Sequence, residues 1–225
     1  YLKSLGAKKI KFIGNLKFSE SKSQKNYNFH NKLKKIFKYK RIWCAASTHK
    51  SEEKICALAH KKLKSKYKNL LTIIIPRHIQ RSNNIINEIK DLNLNVQIRS
   101  TDNKISKNTD IYLVDSYGET KSFYKICKTV FLGGSLINHG GQNPLEPARF
   151  GCKILHGPYV QNFSEVYNFL EKNNLSSKFH NTEQLVNSVK KSFSTKTNFT
   201  NKTIKLKKMG SYILNKTFTD ISNYL

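Results

Sequence analysis

Short apolar runs alternate with amphipathic stretches along most of this chain, and that alternation limits the possible folds more than any other feature. Leu70 to Ile75 (LLTIII) is the clearest run, rich in β-branched side chains and halted by Pro76. Arg41 to Ala46 (RIWCAA), Asn95 to Arg99, Asp110 to Val114, Thr129 to Leu132 (TVFL) and Lys153 to Leu155 read as further strands. Lys9 to Gly14 (KIKFIG) is predicted as the first. Helical patterns lie between them: Tyr27 to Phe37, Glu52 to Tyr67 with Ile55, Leu58 and Ala59 on one face beside Leu63, Asn83 to Leu92, Tyr117 to Cys127, and the short Pro144 to Phe150. From Phe163 onward the pattern is mostly helical, with weaker periodicity after Asn181. Ser19 to Asn28 is polar and reads as a loop. Strand–helix alternation of this kind predicts an α/β fold, a Rossmann-like parallel sheet with helices on both faces. No tandem repeat or long linker divides residues 1–225, so a single domain is expected.

The bulk numbers narrow the function only a little. With 41 basic and 14 acidic residues the formal charge is +27. Such a charge attracts nucleic acid, an anionic membrane face or a phosphorylated substrate. It equally fits a composition rich in Lys, Asn and Ile, so it does not choose among them. A nucleic-acid-binding module finds no support in a ribonucleoprotein motif, a zinc finger or a basic helix with interleaved aromatics. Cys44, Cys56, Cys127 and Cys152 form no C-x-x-C pair, which argues against a disulfide framework or a zinc site and for reduced thiols. Cys44, Cys127 and Cys152 lie in or beside predicted strands and are expected to be buried. No apolar run is long enough to span a bilayer and no signal peptide opens the chain, so any membrane contact is expected to be peripheral. The first residue is Tyr1, which suggests that an upstream domain is missing.

Polar clusters follow the predicted strands almost one for one. Ser47, Thr48 and His49 follow the second strand, Pro76, Arg77 and His78 the third, and Asp115 to Glu119 (DSYGE, with Gly118) the run ending at Val114. Gly133, Gly134 and Ser135 follow TVFL, and His156 to Pro158 the last strand. In a parallel sheet these clusters share one edge, where open α/β folds bind ligands. The segment Gly133 to Gly151 (GGSLINHGGQNPLEPARFG) brackets a loop with two glycine pairs, the second containing Gly141, and glycine lets backbone N–H groups approach a phosphate. Asn143 can cap the following helix and Pro144 suits its first position. Glu146 is either a capping-box partner or a carboxylate accepting from ribose hydroxyls, and the Gly-rich setting favours ribose. Arg77 is either a phosphate contact or a surface ion pair. His60, on a Lys-rich helix, is expected to be solvated, and Glu119 either joins the site or only complements a helix N-terminus. No D-x-D pair and no metal-ligand spacing is present, so neither a metal nor a cofactor is expected.

GNLKF (Gly14 to Phe18), WCAASTHKSEE (Trp43 to Glu53), IIIPRHIQR (Ile73 to Arg81), DSYGE and FLGGSLINHGGQNPLEPARFG with HGPYVQNF after it resemble, in order, the 3-deoxy-D-manno-octulosonic acid (Kdo) transferases of lipopolysaccharide synthesis. The resemblance covers roughly Gly14 to Phe163. It implies the C-terminal, donor-binding half of a GT-B glycosyltransferase, with CMP-Kdo as donor, a lipid A precursor as acceptor, and a metal-independent, inverting reaction. A UDP- or GDP-sugar donor is the alternative on the same fold. The family pattern assigns Ser47, Thr48 and His49 to the pocket, Arg77 to a phosphate, Gly133 to Ser135 to a backbone phosphate cradle, and Asn143 and Glu146 to the nucleotide. Pro76, His78, Gly118, Glu119 and Gly141 complete the candidate set. The catalytic base, the acceptor site and the contact with the cytoplasmic face of the inner membrane are expected in the missing N-terminal domain. The isolated chain is therefore expected to bind CMP weakly and to transfer nothing. The family usually has Gly where Ser51 stands, so the turn beside His49 is expected to differ.

Overall fold

A computed structural model describes residues 2–19, 36–101, 105–195 and 199–223. In chain order the elements are β1 (Arg41–Thr48), α1 (Glu52–Lys64), β2 (Leu70–Pro76), α2 (Ser82–Ile89), β3 (Val96–Ile98), β4 (Ile111–Leu113), α3 (Thr120–Ile126), β5 (Thr129–Leu132), α4 (Leu145–Arg149), β6 (Lys153–His156), α5 (Ser164–Lys172), β7 (Ser176–Lys178), α6 (Thr182–Ser194) and α7 (Phe199–Ser222). The strands form one parallel sheet in the order β3-β4-β2-β1-β5-β6-β7. This is the α/β, Rossmann-like architecture with helices on both faces.

Because both faces are covered, the central strands are continuous apolar runs rather than alternating ones. Alternate residues still diverge. Trp43 and Ala45 of β1 join Ile74, Phe131 and residues of α1, α2 and α6 in one core. Cys44 and Ala46 point the other way, into a core with Tyr112, Phe123, Leu145, Val166 and Ile213. Cys44, Cys127 and Cys152 are buried as expected, and Cys56 is buried too. The Cys152 thiol donates to the carbonyls of Tyr124 and Cys127.

Two expectations are corrected. Lys9 to Gly14 forms no strand. Ile10 and Phe12 are exposed, so the segment lacks the two-sided burial that this sheet provides. It instead runs beside α7, with Gly14 against Ile213. His60 is not solvated but fully buried, one turn beyond Cys56 on the face of α1 that meets the sheet. Its Nδ1 lies 2.8 Å from Thr72 Oγ1 and its Nε2 3.4 Å from Asp110 Oδ1. From Phe163 onward the chain is mostly helical as expected, with one short strand, β7, whose sequence Ser-Ser-Lys carries no apolar signal. The predicted helix Tyr27 to Phe37 and loop Ser19 to Asn28 lie mostly outside the described residues, although residues 36–39 are helical. Among the described residues no helix is long and apolar enough to cross a membrane.

Candidate nucleotide-binding rim

The strand order reverses between β1 and β5: β2, β4 and β3 lie on one side, β6 and β7 on the other. A parallel sheet leaves a crevice at such a point, beyond the C-terminal ends of its strands. There β1 ends irregularly, its register with β2 shifting between Ala46 and Thr48. Ser47 adopts a left-handed conformation (φ 54°), and so does Ser51 (φ 76°). A side chain with a Cβ is strained at such angles. Backbone hydrogen bonds join three strand ends here. The Arg77 N–H donates to the Thr48 carbonyl at 2.9 Å, and the Gly133 N–H to the Ala46 carbonyl at 2.9 Å.

The centre of this rim holds a residue that the sequence reading left without a role. Glu52, the first residue of α1, is fully buried. Its Oε2 accepts from the N–H of His49 (2.9 Å) and of Gly134 (2.8 Å), and its Oε1 from Ser135 (3.1 Å) and Leu136 (3.0 Å). Burial pushes the Glu52 carboxyl above its ordinary range, against the pull of these four donors. The expected phosphate cradle is therefore corrected. The amides of Gly134 and Ser135 are taken by Glu52, and that of Gly133 by Ala46. Gly133 is required for another reason. A Cβ there would lie 2.4 Å from the Ser47 carbonyl oxygen and 2.7 Å from Glu52 Oε2. Ser135 is likewise turned inward, its hydroxyl donating to the Leu132 carbonyl (2.6 Å) and accepting from the Gly157 N–H (2.9 Å).

Three histidines gather on the outer side. The His49 ring lies 4.4 Å from that of His139 and 6.2 Å, edge to face, from that of His78. His49 Nδ1 is 3.1 Å from the Ser47 carbonyl oxygen, which only an Nδ1–H can satisfy, so the acceptor lone pair is assigned to Nε2. Burial and then His139 hold the His49 imidazole below its ordinary pKa, leaving it neutral at pH 7. Its Nε2 and the Thr48 hydroxyl are buried and have no hydrogen-bond partner among the described residues. Arg77 and His78 are exposed beside them, and Pro76 is buried at the end of β2.

The remaining candidates divide. Gly141 is tied to the rim, its N–H donating to the Gly134 carbonyl at 2.8 Å. The N-cap of α4 is Pro144 and not Asn143, which lies one residue earlier, though its Oδ1 accepts from the Leu145 N–H at 3.1 Å. The carboxylate of Glu146 pairs with Lys121 at 3.0 Å instead of closing a capping box. Glu119, at the cap of α3, is held by Arg99 (Nη2 to Oε1 3.0 Å) and accepts from the Ser116 hydroxyl. With Gly118, which lies in the exposed turn before it, it belongs to the β3–β4 edge rather than to the switch point. His139 and Glu52 are the residues that sequence reasoning missed. The one available signal for Glu52 was an adjacent acid pair, Glu52 and Glu53, in a chain with only 14 acids.

No protein-family model matches the chain. It is 37% identical over 160 residues to the 3-deoxy-D-manno-octulosonic acid transferase of Haemophilus influenzae, covering 71% of this chain and 38% of that protein. It is 33% identical over 162 residues to the enzyme of the same name from Rickettsia conorii. The chain thus spans a little over a third of the length of these relatives. Among solved structures, the C-terminal CMP-Kdo binding domain of WaaA from Acinetobacter baumannii superposes with a TM-score of 0.67 and 27% identity, over 79% of this chain and 91% of that domain. A trehalose 6-phosphate synthase from Burkholderia multivorans (TM-score 0.56, 10% identity) shares the fold alone, over 85% of this chain and 44% of that one. Together with the order of shared motifs along the sequence, these similarities settle the assignment: the chain belongs to the 3-deoxy-D-manno-octulosonic acid transferase family.

Proposed function

We propose that this chain is the donor-binding part of a glycosyltransferase that moves Kdo from CMP-Kdo to a lipid A precursor. The carrying observation is the rim at the β1/β5 switch point, in a chain whose relatives are Kdo transferases. The exposed Arg77 offers a fork of donors to the phosphate that departs with the electron pair of the sugar–oxygen bond. The neutral His49 and the Thr48 hydroxyl can accept hydrogen bonds from hydroxyl or amino groups of the donor. Asn143 and Glu146 flank the nucleotide, and Glu146 exchanges Lys121 for the ribose hydroxyls on binding. The base that activates the acceptor, the lipid contacts and the attachment to an anionic membrane face belong to the remainder of the protein. No metal is needed to stabilise a departing monophosphate that a guanidinium holds.

Calorimetric titration of the chain with CMP, UMP and UDP tests the reading. Preferential binding of CMP is expected, and a clear preference for a uridine nucleotide overturns it.

A further inference from the structure

Glu52 is a buried acid whose described partners are almost all backbone dipoles. Its four N–H donors come from two strand ends: His49 follows β1, and Gly134, Ser135 and Leu136 follow β5. One carboxylate thus fastens together the two segments that flank the switch point, one oxygen spanning both and the other gripping the second. The titratable groups around it are few. From the β1 end His49 Nδ1 lies 3.9 Å from Oε2. Cys56 faces it from the next turn of α1, and Tyr167 from α5. Both of these are buried and neutral, and the Tyr167 hydroxyl donates to the Gln142 carbonyl at 3.0 Å. Four amides converging on one anion match a carboxylate as well as a phosphate, and here the protein's own side chain is the occupant.

We infer that Glu52 is a positioning residue for the donor site: it fixes the spacing between the His49 turn and the Gly134–Leu136 loop without touching the ligand. The inference rests on the proposed donor reading. Glutamine has the same shape but replaces one oxygen by an NH2 group. It can accept at one end only, and its amide protons oppose N–H donors at the other. The Glu52→Gln variant should therefore lose one of its two pairs of amide contacts and let the segments drift.

The test uses the full chain, with CMP titrated by calorimetry and the amides followed by nitrogen–proton correlation spectra. E52Q should bind CMP at least tenfold more weakly. Its Gly134, Ser135, Leu136 or His49 amides should shift as if a hydrogen bond were lost, while those of β2 and β4 stay in place. His60→Gln, at the opposite end of α1, controls for general destabilisation and should retain wild-type affinity. Unchanged CMP affinity in folded E52Q overturns the inference. Tighter binding overturns it too, since Glu52 would then be a competitor for the ligand. Should E52Q not fold, Glu52→Asp keeps the charge and withdraws it by one methylene. It should weaken CMP several-fold, and wild-type affinity in E52D overturns the inference equally. A wild-type chain that fails to bind CMP sinks the donor reading instead.

Discussion

The Arg81 guanidinium grips the fully buried carboxylate of Glu53, with Nη1 2.9 Å from Oε1 and Nη2 3.4 Å from Oε2. This pair joins the first turn of α1 to the turn after β2, and so holds the segment carrying Arg77 and His78 against the rim. Removing the cation strands a charge in the interior. Arg81→Ala should cost about 3 kcal/mol of stability. Urea denaturation should show this as a lower midpoint with the slope unchanged, and a loss of only a few tenths of a kcal/mol would mean that water reaches Glu53.

Ser51 offers a change in the other direction. Its φ of 76° is the conformation that glycine adopts without a Cβ penalty. Ser51→Gly should raise stability by about 1 kcal/mol, the left-handed strain relieved less the added freedom of the unfolded chain. The same denaturation experiment reads it, and a lower midpoint would mean that the serine side chain makes a contribution exceeding the strain.

Acid sensitivity should centre on His60. Burial lowers its pKa from 6.5 to about 4, against the pull of Asp110 and with help from Lys64 and Lys40. The unfolded chain takes up a proton near pH 6.5 that the folded chain refuses until about pH 4. The stabilisation is complete above pH 6.5 and is lost as pH falls towards 4, by up to about 3 kcal/mol. Glu52, whose pKa is raised by folding, contributes a slope of opposite sign, so the His60 part must be isolated. Stability measured from pH 7 to pH 4 in wild type and in His60→Gln should differ in slope across this window. Parallel curves would refute the assignment.

Arg77 should behave as a ligand contact and not as a structural residue. It is exposed, so Arg77→Ala should leave the denaturation midpoint within about 0.5 kcal/mol of wild type. CMP binding should weaken roughly tenfold to a hundredfold, the worth of a charge-assisted hydrogen bond. Cytidine, which lacks the phosphate, should bind both proteins alike.

The sheet was legible because its central strands carry the apolar, β-branched runs that two-sided burial demands. LLTIII and TVFL needed only local chemistry to be recognised. The strand β7 was not legible, since an edge strand of Ser-Ser-Lys is recruited by backbone pairing with β6 and by nothing in its side chains. Lys9 to Gly14 failed for the converse reason: it has strand composition, but no sheet edge receives it. The polar clusters after β1, β2 and β5 were legible as residues of one sheet edge. Its internal wiring was hidden, because Glu52 meets Gly134 across 82 positions of sequence and no local pattern encodes that distance. Glu146 shows the same limit. Its motif was readable, whereas its pairing with Lys121 depends on how α3 and α4 pack together.

Residues 11–18 and the helix α7 lie antiparallel, with Lys11 paired to Asp220, Gly14 against Ile213, and Gly210 so close to Phe18 that a Cβ would meet its carbonyl oxygen at 2.3 Å. Tension applied between the two ends of the chain would therefore act on this seam as on a zipper. It would part the Lys11–Asp220 contact first and the Phe18–Gly210 contact last. Mechanical load would be spent there one contact at a time before any strand of the sheet felt shear.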